Sequence, residues 1–135
     1  MYRYFSLLAL MLSAPSIAST VVYTDRHHSP ANVQADTRVV YLDETDQLAK
    51  SLFGPLSTNS SQAERQAQSV IHSPQWVQQQ AVMAQAYQGL IQAWQLGLKK
   101  YPAVVFDDHD VVYGTADVAV ARTYQKHKEL SGGRP

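Results

Sequence analysis

The residues best suited to chemistry lie in one short polar segment, 25–30. Neutral imidazole and carboxylate groups are good metal ligands, and a serine, a histidine and an aspartate are the parts of a hydrolytic triad. The residue types therefore allow a metal site, a hydrolytic centre, or a solvated polar loop. The groups in question are Asp25, His27, His28 and Ser29.

The sequence around these residues favours the solvated loop. Adjacent histidine side chains diverge in an extended chain, so a metal would need a further ligand, such as His109 or Asp110. A hydrolytic serine often sits on a strained G-x-S-x-G turn, and no such turn surrounds Ser29. The chain has no cysteine, which excludes thiol–disulfide exchange. We therefore expect no catalytic residue, no bound metal and no cofactor.

A second acidic cluster, residues 107–110, lies between two short apolar runs. It lacks the ligand spacing, the central glycine and the terminal glutamate of an EF-hand calcium loop. The runs on either side, 102–106 and 111–114, have the composition of strands. The cluster is therefore predicted to be the turn of an antiparallel hairpin.

Strand and helix signals alternate along the rest of the chain. Two β-branched runs, 21–24 and 38–43, predict buried strands. The connection between them is too short for a long helix. The helix signals predict four segments: 48–53, a helix begun by the capping box of Ser61 and Glu64, a long helix from Trp76, and a closing helix over 116–129 capped by Thr115.

The helix from Trp76 is predicted to be the main core helix, because apolar residues recur along it at helical spacing. We expect Trp94 to be buried against the strand that contains Val104. Gly89 is expected to mark close packing against a strand, and Gly97 to end the helix in a left-handed conformation.

This order of elements predicts an α/β fold of thioredoxin-like layout: a three-layer sandwich with a mixed sheet, an abbreviated first crossover and a long core helix. Thioredoxin-like proteins place a cis-proline just before the third strand. Tyr101–Pro102 occupies that place here, and the sequence leaves both the cis and the trans form open. In this layout Pro102 faces segment 25–30. The candidate binding residues are accordingly Asp25, His27, His28, Ser29, Tyr101 and Pro102.

The N-terminal residues predict export. Arg3, the apolar run 5–12 and the small residues Ser16 and Ala18 form the pattern of a signal peptide. So short a run cannot anchor the chain in a bilayer, which needs about 20 residues. We therefore expect a periplasmic protein with three parts: a signal peptide, 1–18, one thioredoxin-like domain, 19–130, and a flexible tail, 131–135.

The charge balance argues against nucleic acid as a direct partner. The chain has 11 basic and 11 acidic residues, one of the basic ones being Arg3 in the signal peptide. The basic pairs at 99–100 and at 126 and 128 are too sparse for a nucleic-acid footprint. A lipid anchor is excluded too, because it requires a cysteine at the cleavage point.

Three motifs carry a resemblance that spans nearly the whole mature chain. The chain resembles an uncharacterised family of exported proteins encoded in integrating conjugative elements of proteobacteria. The resemblance implies a periplasmic component of a DNA-transfer apparatus, a type IV secretion system, whose partners are other exported proteins of that apparatus. It implies no catalytic residues. The motifs are Ala93-Trp94-x-Leu96-Gly97, Pro102-Ala103-Val104-Val105-Phe106-Asp107 and Val111-Val112-Tyr113-Gly114-Thr115-x-Asp117-Val118.

Two other functions remain open on the sequence. One is an exported metal-binding protein or enzyme that uses segment 25–30. The other is a periplasmic chaperone for secretion-system subunits that binds extended peptide beside Pro102.

The signal-peptide pattern yields a direct prediction. We expect the mature protein to begin at Ser19 or within a few residues of it, because the small residues at 16 and 18 fit the cleavage site. Mass spectrometry of the periplasmic fraction measures this N-terminus. Retention of Met1, or recovery of the protein from the cytoplasm, would contradict the prediction.

Overall fold

A four-stranded mixed sheet with helices on both faces forms the described part of the chain, residues 18–132 of the computed structural model. The sheet order is β2-β1-β3-β4; β1 is parallel to β2 and antiparallel to β3, and β3 is antiparallel to β4. The predicted α/β fold with a mixed sheet is confirmed. The elements are β1 (Thr20–Thr24), β2 (Thr37–Tyr41), α1 (Glu44–Phe53), α2 (Ser60–Ile71), α3 (Trp76–Gln95), β3 (Ala103–Phe106), β4 (Asp110–Tyr113) and α4 (Val118–Gly132).

Strand β1 is the centre of the core, since all five of its residues are buried. Its side chains alternate between the two faces of the sheet. Val22 packs with Val104 and with Val118 of α4 on one face. Tyr23 packs with Val105 and with Ala93 of α3 on the other. The sheet is thus the middle layer of a sandwich.

The connection from β1 to β2 is short and is tied to the start of α4. Ala31 N donates to Ala116 O at 3.1 Å, and Val118 N donates to Ala31 O at 3.0 Å. The Asn32 side chain also donates to the Asp117 carboxylate at 2.9 Å. The predicted abbreviated crossover is confirmed.

The acidic cluster forms the hairpin turn between β3 and β4, as predicted. Asp107 and Asp108 have φ values of 51° and 58°, which aspartate tolerates better than most residues. His109 N donates to Phe106 O at 3.2 Å and closes the turn.

Two helix starts differ from the sequence-based predictions. Asn59, not Ser61, caps α2, and its side chain accepts two backbone N–H groups of the first turn. The Asp117 carboxylate likewise accepts two N–H groups of the first turn of α4, whereas the Thr115 hydroxyl accepts only from Asp117 N. In both helices an Asn or Asp side chain reaches the N–H groups that the predicted hydroxyl does not.

Other helix ends also differ from the predicted bounds. Helix α1 begins at Glu44, four residues before the predicted turns. Helix α4 runs to Gly132, so it includes two residues assigned to the flexible tail. Gly97 has a φ of 68° just after α3, as predicted. The predicted signal peptide, apart from Ala18, and residues 133–135 lie outside the described residues.

Helix α3 presents a different face to the sheet from the one predicted. Trp94 was expected in the core, but 81% of its surface is exposed, and the prediction is wrong. Small residues face the sheet instead: Ala93 is buried, and a Cβ on Gly89 would lie 2.7 Å from Val40 Cγ1. The expected close packing at Gly89 is therefore confirmed. Within residues 18–132 no helix has the length and hydropathy needed to span a membrane.

The contact between Gly89 and Val40 predicts a coupled pair of substitutions. Gly89→Ala should destabilise the fold by about 1 kcal/mol, because overpacking of about 1–3 kcal/mol exceeds the gain in helix propensity. Val40→Ala makes room for the added methyl, so it should cost less in the Gly89→Ala background than in the wild type. Urea unfolding of the four proteins measures this coupling, and additive effects would contradict the proposed contact.

Candidate functional site

Asp25 ends the buried run of β1 and organises the polar segment after it. One oxygen of its carboxylate, Oδ1, accepts from His27 N at 3.1 Å and from His28 N at 3.0 Å. The same oxygen lies 2.6 Å from Nδ1 of the His28 ring. Asp25 is buried, whereas His27, His28 and Ser29 are exposed. The structure therefore joins Asp25 to His28 in a tight turn.

The electrostatics of this turn favour the ionised carboxylate. The hydrogen bond from His28, supported by the backbone N–H donors, holds the pKa of Asp25 below its usual value despite partial desolvation. Within the described residues, the Ser29 hydroxyl makes no hydrogen bond to either histidine. No three His, Asp or Glu side chains of residues 18–132 form a metal-ligating group.

Tyr101 and Pro102 lie beside this turn at the same end of the sheet. Tyr23 pairs with Ala103 in the β1–β3 ladder, so Tyr101 and Pro102, which precede Ala103, lie at the end of the sheet where β1 leads into Asp25. The Tyr101–Pro102 bond is cis, one of the two forms left open by the sequence. Pro102 is buried, and Tyr101 is 51% exposed.

An apolar groove of about 490 Å³ opens next to Tyr101, between the end of the sheet and the C-terminal part of α3. Leu42 lines the groove. It is also held at the end of β1, because its N–H donates to Thr24 O at 2.8 Å. Two lysines supply the charged part of its lining. The groove is lined by Leu42, Leu90, Ile91, Ala93, Trp94, Leu98, Lys99, Lys100 and Tyr101.

The bulky α3 residues of this groove, such as Trp94, were predicted to lie in the core, and Leu42 was predicted to belong to the second strand, 38–43. A signal for the groove was present in the sequence. Apolar residues occur on both faces of α3: Ala86 and Ala93 lie on one face, and Tyr87 and Trp94 on the other. One sheet covers only one face of a helix.

Asp43 adds a polar group near the turn, at the end of β2. Its Oδ2 accepts from Arg26 N at 3.4 Å. Its other oxygen, Oδ1, is buried and has no hydrogen-bond partner among the described residues. A buried acceptor of this kind is costly when unpaired.

These features define a small mixed α/β domain with a polar turn and an apolar groove at one end of its sheet. Residues 17–130 match the family described as "Protein of unknown function (DUF1525)", and the chain belongs to this family. No curated protein and no solved structure matches the chain.

The Asp25–His28 hydrogen bond predicts a pH-dependent contribution to stability. Because the folded-state pKa of Asp25 lies below its unfolded value of about 3.9, the contribution is complete above that value and is lost as the pH falls through the folded-state pKa. Asp25→Asn should therefore lower the unfolding free energy at pH 7, and its deficit should shrink towards pH 2.

Urea unfolding between pH 2 and pH 7 measures this deficit. Asp36→Asn, at an exposed loop position, is the matched control and should have little effect. A deficit for Asp25→Asn that stays constant across the range would contradict the prediction.

Proposed function

We propose that this protein is a non-enzymatic periplasmic component of the conjugative DNA-transfer apparatus, a type IV secretion system, of an integrating conjugative element. It acts by binding other exported proteins of that apparatus. The family resemblance described above supports the assignment to this apparatus, and the apolar groove supports action through protein contacts.

The proposed scaffold is thioredoxin-like but without thiol chemistry. The strand order, the parallel β1–β2 pair and the antiparallel β3–β4 hairpin support this assignment. So does the position of α4, which packs on the face of the sheet opposite α3. Because the chain has no cysteine, the scaffold is proposed to act through contacts alone.

The single observation that carries the proposal is the exposure of aromatic side chains around the groove. Trp94 is 81% exposed and Tyr101 is 51% exposed. Removal of apolar surface from water is favourable by about 25 cal/mol per Å², before the costs of association, and aromatic residues are frequent anchors of protein interfaces. A partner that places apolar side chains in this groove would be stabilised by the burial of apolar surface and by contact with these aromatic side chains.

The charged and polar groups around the groove define the chemistry of the partner. Lys99 and Lys100 line it, so acidic residues next to the apolar side chains of the partner would be complementary. We propose that an extended apolar segment flanked by acidic residues binds here, with strand-like backbone pairing beside Tyr101.

The alternative of a metal-binding protein or enzyme rests on one specific observation, the close Asp25–His28 pair. An oriented imidazole of this kind is also found in general-base catalysis. Metal analysis of the purified mature protein tests the metal-binding form of this alternative. The chaperone alternative uses the same groove and differs in its partner, which would be an unassembled subunit.

A photo-crosslinking amino acid at Tyr101 tests the proposed groove. We expect crosslinks from position 101 to an exported protein of the apparatus, because the partner covers this side chain. Tyr124 is the matched control: it is a 63% exposed tyrosine on α4, on the opposite face of the sheet. Position 124 should give no such crosslink.

Transfer assays in cells provide the functional readout. Tyr101→Glu and Ser29→Arg should reduce DNA transfer while the melting temperature stays unchanged, because both residues are exposed. Tyr124→Glu should leave transfer at the wild-type level. Normal transfer with both Tyr101→Glu and Ser29→Arg, together with unchanged partner crosslinks, would overturn the proposal.

A further inference from the structure

The outer face of α3 carries a second apolar feature that extends from the groove towards the N-terminus of the helix. Its residues recur at spacings of three and four, the heptad pattern of a coiled-coil seam. Val77 is 74% exposed and Trp94 81% exposed, so the seam is open along its length. Positions a are Val77, Ala84 and Ile91, and positions d are Gln80, Tyr87 and Trp94.

This face is free of strong charge. Between Arg65 and Lys99 the chain contains no Asp, Glu, Lys or Arg. The centres of protein interfaces are depleted in charged residues, whereas exposed surfaces are rich in them. Two copies of this face can therefore meet without like-charge repulsion.

We infer that a second copy of this chain covers the face, with the two α3 helices packed antiparallel about a two-fold axis. In an antiparallel pair each a position meets a d position of the other helix. With the axis midway between residues 85 and 86, Val77 meets Trp94 of the second copy, and Ala84 meets Tyr87. Both of these layers combine a smaller residue with a larger one, which fills the space between the helices.

The same residues disfavour a parallel pair. In that arrangement Trp94 would meet Trp94, and Ala84 would meet Ala84. One layer would then be overfilled, and the other would leave a gap between the helices. The remaining antiparallel layer joins Gln80 to Ile91. A polar residue at a seam position lowers the stability of the helix pair, which agrees with a weak dimer.

The length of the seam sets the expected strength of the dimer. From Val77 to Trp94 it spans about 26 Å at 1.5 Å per residue. One helix pair of this length buries less than the roughly 800 Å² per partner of a standard interface. We therefore expect association that depends on protein concentration.

The inference goes beyond the proposed function and can fail independently of it. Ile91 and Trp94 belong to both surfaces, but Gln80 and Ala84 do not line the groove, and Tyr101 is not part of the seam. Variants at Ala84 therefore test the dimer without altering the groove.

Sedimentation velocity of the mature protein between about 1 and about 200 μM, where a helix pair of modest affinity would dissociate, measures the association. We expect a monomer–dimer transition for the wild type and a monomer throughout for Ala84→Glu, which places two like charges near the axis. Gln85→Glu adds the same charge at the next exposed position, outside the seam, and should dimerise like the wild type. An equimolar mixture of Ala84→Glu and Ala84→Lys should regain the dimer.

Disulfide formation tests the orientation, since the chain has no cysteine of its own. Mixed Gln80→Cys and Ile91→Cys proteins should form the 80–91 disulfide in preference to 80–80 or 91–91. Homodisulfides in preference would overturn the antiparallel register. A monomeric wild type at every concentration, or undiminished association of Ala84→Glu, would overturn the dimer.

Discussion

The close approach of α3 to the sheet determines what the rest of this molecule presents to its surroundings. Gly89 lies against Val40 with no room for a Cβ, and the buried Ala93 continues the contact. A helix that packs through small residues turns its bulky residues away from the sheet. The exposed Trp94, the groove beside Tyr101 and the open heptad seam all follow from this one contact.

Much of the fold could be predicted from local sequence signals. The composition of β1 and of the β3–β4 hairpin identifies these strands, and Gly89 and Gly97 have the roles that their positions predict. The orientation of α3 could not be predicted in the same way. Apolar residues lie on both of its faces, and periodicity alone does not say which face meets the sheet. The predictions of the N-terminal caps of α2 and α4 were wrong for a related reason, since several residues at each helix start can accept hydrogen bonds from the same N–H groups.

The candidate site shows a similar division. The sequence indicated that segment 25–30 and Tyr101–Pro102 belong together, and the strand register places them at one end of the sheet. The hydrogen bonds from His28 to Asp25 make this segment an ordered turn. The apolar half of the site was missed, because Leu42 and the α3 residues come together only through the tertiary contact at Gly89. The apolar groove at this end of the sheet and the exposed apolar face of α3 are the features on which the proposed contacts depend.

The exposure of Trp94 at low protein concentration tests the orientation of α3 on the sheet most directly. Trp76→Phe leaves Trp94 as the sole tryptophan, so its fluorescence reports on the outer face of α3 alone. We predict emission typical of a hydrated indole and efficient quenching by iodide or acrylamide at low protein concentration. A blue-shifted emission that resists quenching under these conditions would show that Trp94 is in the core, and would contradict the orientation of α3 on which both proposed surfaces depend.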